Sequence, residues 1–192
     1  MLNIILFGKP GSGKGTQAEF IKEKYELVHI STGDLFRQNI KNQTKLGKLA
    51  QKYMNNGDLV PDKVTIGMLK AEVESNINAN GFLFDGFPRT VDQAISLDNY
   101  LKKKRLKIDM TIAIDVKDDI LIERILNRGL TSGRKDDQDE LKIKNRFDEY
   151  NSKTSFLEEY YKNQNKFKIV DGFGKIDEIT KRLYNEIEEF IK

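Results

Sequence analysis

Lys14 closes a glycine-rich run, "GKPGSGKGTQ" (residues 8–17), placed directly after the apolar stretch "LNIILF". Glycine weakens regular structure, so four of them within eight residues need a reason. Without Cβ atoms, successive backbone N–H groups can turn inward, and the positive end of a following helix completes an anion cradle. The spacing fits the phosphate-loop pattern G-x-x-x-x-G-K-[ST], with Gly8 and Gly13 in the glycine places and Lys14 as the cation for β- and γ-phosphates. There is one departure: Gly15 follows the lysine, and the hydroxyl arrives a residue later, at Thr16. A turn that merely packs strand on helix is the bland alternative, and the strand–turn–helix context disfavours it. The loop is expected to bind a nucleoside triphosphate, with Lys9 read as a solvated extra cation.

A phosphate loop alone names no reaction. Further cations stand in "STGDLFR" (31–37), "DGFPRT" (85–90), "ERILNRGLTSGRKDD" (123–137) and "KNRFDEY" (144–150). Arg37, Arg89, Arg124, Arg128, Arg134 and Arg146 thus fall at helix starts, strand ends and loops around the expected mouth of a sheet. A guanidinium is a planar fork matched to phosphate oxygens. One arginine near a cleft is usually a surface ion pair, whereas six in these contexts point to two phosphate chains meeting head to head.

The elements that must position them alternate. "LNIILF" (2–7), "LVHIS" (27–31), "FLFD" (82–85), "TIAIDV" (111–116) and "FKIVD" (167–171) read as buried parallel strands. Between them lie helical patterns at 14–25, 90–104, 118–128 and from 137 to about 165, and an amphipathic helix closes the chain at 175–192. Residues 33–75 break the alternation with three short helices punctuated by Gly57 and Pro61, and 129–136 reads as a loop. The 192 residues suit one main domain; 33% are charged, yet the net charge is only +3, which does not suggest a nucleic-acid or membrane binder. "KKKR" (102–105) reads as a solvated helix end. With no cysteine there is no disulfide or thiolate metal site, and with no leader or long apolar run the expected compartment is the cytosol. The single histidine, His29, is read as a satisfied structural residue, and "EYY" (159–161) as packing.

The four motifs, in this order and context, resemble those of adenylate kinase, a nucleoside monophosphate kinase family, and the similarity runs from Met1 to the last helix. The resemblance implies an α/β P-loop NTPase-type fold: a doubly wound, parallel, five-stranded sheet (core 1–31, 76–128 and 137–192). It also implies a helical insertion for the monophosphate (32–75) and a short lid loop (129–136) with no structural zinc. ATP and AMP would sit end to end, with in-line transfer of the γ-phosphoryl giving two ADP. Gly11, Ser12, Gly13, Lys14, Gly15, Thr16, Arg124, Arg128 and Gly174 would serve ATP. Thr32, Arg37, Gly86, Phe87, Pro88, Arg89 and Gln93 would hold AMP, with Asp58, Leu59 and Val60 lining its base pocket. Arg134 and Arg146 would close on the phosphates, so that Lys14, Arg89, Arg124, Arg134 and Arg146 carry catalysis. Asp85 would meet Mg²⁺ through water. The segment after Arg134 is one residue longer than the family pattern, which leaves open whether Asp136 or Asp137 faces the nucleotides. The enzyme is expected to act as a monomer. A UMP/CMP kinase, disfavoured by Thr32, and a P-loop ATPase or regulatory nucleotide-binding module are the alternatives.

Overall fold

The computed structural model describes residues 1–192, the side chain of Lys135 excepted. Five strands, β1 (Leu2–Phe7), β2 (Val28–Ser31), β3 (Gly81–Asp85), β4 (Met110–Asp115) and β5 (Phe167–Asp171), form one sheet in the order β2-β3-β1-β4-β5. All pairings are parallel, with Ile5 opposite Phe84 on one side and Thr111 on the other. The central strands are apolar on both faces because helices cover both. Ile4, Leu6, Ile112 and Ile114 pack with Ala18 and Ile21 of α1 (Lys14–Tyr25) and Leu183 and Ile187 of α9 (Ile176–Ile191). Ile5, Phe7, Phe82 and Phe84 pack on the opposite face with Ala94, Leu97 and Leu101 of α5 (Val91–Lys103) and with Leu157 and Tyr161 of α8 (Phe156–Lys162).

From β1 the chain crosses toward one edge of the sheet, and from β3 toward the other. Neighbouring strands with diverging connections leave a crevice at their carboxyl ends, where ligands bind in doubly wound sheets. The glycine-rich loop leaves β1 into that crevice, and "DGFPRT" leaves β3 beside it.

The insertion comprises α2 (Thr32–Lys41), α3 (Lys45–Met54) and α4 (Asp62–Ser75). Its first two helices are capped by hydroxyls: Ser31 Oγ accepts from Asp34 N at 3.3 Å and Thr44 Oγ1 from Gly47 N at 2.9 Å, while α4 starts after Pro61. Thr90 does the same for α5, accepting from Gln93 N at 3.2 Å.

Two expectations are corrected here. Residues 129–132 are not loop, because α6 runs on from Asp118 to Ser132 and stops where Gly133 takes φ 67°. Gly129 sits so close to the next segment that a Cβ there would lie 2.7 Å from the Asp137 carbonyl oxygen, so the helix packs closely against the 3₁₀ turn Lys135–Asp137 that follows it. The long helical stretch after 137 is likewise interrupted: α7 (Glu140–Glu149) passes through a π-turn at Tyr150–Thr154 before α8. Tyr161 is fully buried while the Tyr160 hydroxyl donates to Asp98 at 2.8 Å, so "EYY" does pack.

Candidate active site

A cavity of about 650 Å³ opens at the crevice between β1 and β3. Gly8, Gly11, Gly13, Gly15 and Thr16 form one wall; Asp85, Gly86, Pro88 and Arg89, leaving β3, form another. Lys14, Arg37, Arg89, Arg128, Arg134 and Arg146 all line it. A smaller adjoining recess of about 80 Å³ is bounded by Thr32, Phe36, Met54, Asp58, Leu59, Val60, Gly86 and Gln93 of the insertion side.

The loop glycines are needed for their backbone. Gly8, Gly11 and Gly13 have φ of 143°, 85° and 93°, where side chains are strained. Lys14 folds back on this loop, its Nζ donating to the Gly8 carbonyl at 2.6 Å and the Lys9 carbonyl at 3.1 Å. Burial, reinforced by the charges of Arg89, Arg146 and Arg128, lowers its pKa to about 8 despite Asp85. Burial likewise lowers Arg89 and Arg134, and neighbouring guanidinium groups add to the effect in each case. These cations oppose one another's charge, and a polyanion between them would relieve that.

The carboxylates divide the work. Burial disfavours the Asp85 charge, but the His29 ring and the charges of Lys14 and Arg89 outweigh it and hold the carboxyl below its usual value. Asp137 is fully buried and accepts from Arg128 Nε at 2.7 Å and Arg146 Nη1 at 2.6 Å, locking those two arginines side by side. Asp136 also pairs with Arg146, at 3.0 Å, but borders the smaller recess. Of the two aspartates left open by the sequence, Asp136 therefore faces the recess and Asp137 ties arginines. Asp34 was legible only as part of "STGD"; it accepts from Arg37 Nε at 3.2 Å and lies 3.9 Å from Arg134 across the cavity.

Several expected residues sit elsewhere. Phe87 is core, 1% exposed among the aromatic side chains under β3, and lines neither cavity. Ser12 is buried behind the loop, its Oγ 3.4 Å from Lys14 Nζ. Arg124, one turn before Arg128 on α6, lies outside the cavity lining and donates to the Gly172 carbonyl at 3.3 Å, close to Gly174. Lys9, half-buried, does not stand free in solvent but pairs with the exposed Asp118 at 2.7 Å, because the start of α6 lies within reach of the loop. His29 is not a satisfied packing residue. Its Nε2 is buried without a hydrogen-bond partner, 3.6 Å from Asp85 Oδ2, because its side chain is turned into the cavity wall.

The sequence pattern of the family described as adenylate kinase matches residues 6–166. The chain belongs to the adenylate kinase family. A protein of Flavobacterium psychrophilum named adenylate kinase is 63% identical over 183 residues, covering 95% of this chain and 96% of its own. One of Flavobacterium johnsoniae with the same name is 58% identical, covering 98% of this chain and 99% of its own. One of Leptospira biflexa, also so named, is 46% identical, covering 97% and 100%. Membership makes this chain a nucleoside monophosphate kinase moving a phosphoryl group between ATP and AMP, and the pyrimidine-kinase and ATPase alternatives are not favoured. Among the described residues no three or more His, Asp or Glu side chains are grouped to hold a metal, and no helix is long and apolar enough to cross a membrane.

Proposed function

We propose that this adenylate kinase binds ATP phosphates on Gly11–Thr16, Lys14 and Arg128, and AMP in the recess beneath α2–α4. The transferred phosphoryl then lies among Lys14, Arg89, Arg134 and Arg146. The carrying observation is that one lysine and five arginines from separate elements line a single cavity joining the glycine loop to the recess.

Phosphoryl transfer passes through a loose transition state whose charge is spread over the moving oxygens. Little covalent chemistry is asked of the protein; alignment of donor with acceptor and neutralisation of charge supply the rate. Guanidinium groups held by carboxylates suit this task. Asp137 fixes Arg128 and Arg146 before substrate arrives, so little reorganisation is needed at the moment of transfer. Lys14 leaves the loop carbonyls for phosphate oxygens, regaining the proton affinity that burial took from it. Arg124 acts on the donor side by holding the Gly172–Gly174 turn, and Thr32, its hydroxyl donated to the Gly86 carbonyl at 2.8 Å, shapes the acceptor side.

Magnesium keeps much of its hydration and suits oxygen donors. Asp85 and Thr16 offer a carboxylate and a hydroxyl on the cavity wall and fit a hydrated ion carried by the nucleotide. Bound there, Mg²⁺ neutralises phosphate oxygens. We place it in the cytosol, acting as a monomer, to be tested by cell fractionation and sedimentation.

The deciding experiment is incubation with MgATP and AMP, CMP, UMP or GMP, with ADP measured. ATP consumption that requires AMP is expected; equal ATP loss with and without AMP would overturn the reading.

A further inference from the structure

Gln93 is 1% exposed and borders the base recess, yet its amide is already engaged on both ends. Its Nε2 donates to Asp62 Oδ1 at 2.7 Å, and its Oε1 accepts from the Arg89 backbone N–H at 2.7 Å. Asp62 opens α4, 31 residues away, and its other oxygen accepts from the Thr90 hydroxyl at 3.0 Å. That hydroxyl in turn accepts from Gln93 N, so all of its neighbours have assigned roles.

A carboxylate only accepts and a backbone N–H only donates. With one of each at its two ends, the Gln93 amide has a single favourable orientation: reversing it would set oxygen against carboxylate and N–H against N–H. We propose that Asp62 is a positioning residue that locks the Gln93 amide, so that the recess accepts a 6-aminopurine and rejects a 6-oxopurine. The proposal rests on the recess being the acceptor-base pocket.

The chemistry follows from what the lock leaves unused. One lone pair on Oε1 and one proton on Nε2 remain, an acceptor beside a donor. Adenine offers the complement, an exocyclic amine beside a bare ring nitrogen. Hypoxanthine and guanine offer the reverse, a carbonyl oxygen beside a protonated ring nitrogen. A freely turning amide would serve both kinds of base by flipping. A held one leaves the oxopurine edge facing mismatched groups in a buried site, where each unpaired polar group is penalised.

The test compares AMP with IMP as acceptors, because these differ at the edge in question while sharing ribose and phosphate. Asp62→Asn can donate as well as accept, which frees one end of the amide. It should reduce the AMP-to-IMP ratio of kcat/KM by roughly ten-fold, a loss of one well-placed buried hydrogen bond, with the KM for ATP unchanged. Asp62→Glu keeps an acceptor and should retain most of the preference. In a Gln93→Met background, Asp62→Asn should leave the ratio where Gln93→Met put it. A ratio unmoved by Asp62→Asn overturns the proposal, and so does an equal change in the Gln93→Met background, which would mean that Asp62 acts by another route. Should Asp62→Asn fail to fold, the wild-type side-chain amide of Gln93 gives the answer by NMR. Held at both ends, its NH2 group should be as ordered as the backbone and be shifted by AMP but not by IMP; an order parameter typical of a freely turning side chain overturns the lock. Wild-type turnover with AMP is measured first, so a failure of the acceptor-pocket reading is seen separately.

Discussion

Lys14 is the residue whose ordinary chemistry is most altered by its surroundings. Its pKa, lowered to about 8 by burial and by Arg89, Arg146 and Arg128, means that the free enzyme loses this cation as pH rises through 8. We expect kcat/KM for ATP to fall above that pH, and the fall in kcat to lie at higher pH, because bound phosphates favour the charged form. Between about 8 and the unfolded value of 10.5, the unfolded chain binds more protons, so stability attributable to this group rises with pH. Lys14→Met should therefore lower turnover by several orders of magnitude yet leave the melting temperature at pH 7 equal or higher. Near-normal turnover would remove the residue from its assigned role. Asp137 shares that pH slope, in an acid window, but its charged form stabilises the fold where that of Lys14 costs it. Burial opposes its charge, but Arg128 and Arg146 hold the folded carboxyl below 3.8, so its contribution is complete above about pH 4 and is lost as acid protonates it in the folded state. Asp137→Asn should destabilise by about 2 kcal/mol, less than the ~3–5 of a wholly buried pair because Arg128 is 35% exposed. Chemical denaturation at pH 7 and pH 3 checks both size and sign: the wild-type advantage should shrink in acid.

Among the elements, the insertion relies on one close approach. Gly47 of α3 is buried against the end of α2, where a Cβ would lie 2.1 Å from the Asn39 carbonyl oxygen. A Gly47→Ala change must push α3 away from α2, an overpacking cost of about 1–3 kcal/mol. Because α2 carries Thr32 and Arg37, the expected result is a raised KM for AMP with the KM for ATP little changed. Steady-state kinetics with each substrate varied in turn would show it, and equal effects on both would contradict the division of the cavity. The end of α6 is also an element-scale matter. With α6 continuing through Ser132, Arg128 stands on a helix and Arg134 just beyond the Gly133 turn.

At the scale of the whole molecule, the cavity gathers cations from α1, α2, the β3–α5 connection, α6, the turn that follows it and α7, and their mutual repulsion is borne by the folded state until anions arrive. A bisubstrate analogue joining two adenosines through a polyphosphate should raise the melting temperature more than ATP and AMP do singly, in proportion to its affinity and less at high salt. A stabilisation no greater than that given by ATP alone would mean that the two nucleotide sites do not act together. The glycine loop, the alternating strands and the three-helix insertion were readable directly, because turn chemistry, capping hydroxyls and apolar periodicity act between residues close in sequence. The motif arginines were readable as types in context, though not as neighbours. Folding alone decided that Arg124 stands apart from the other five, that Phe87 is core and that Lys9 is paired. It also decided that His29 faces the cavity, that Asp137 ties arginines while Asp136 borders the recess, and that Gln93 is held by a carboxylate 31 positions away. Those outcomes depend on burial and on distances between segments remote along the chain, and local spacing carries no record of either.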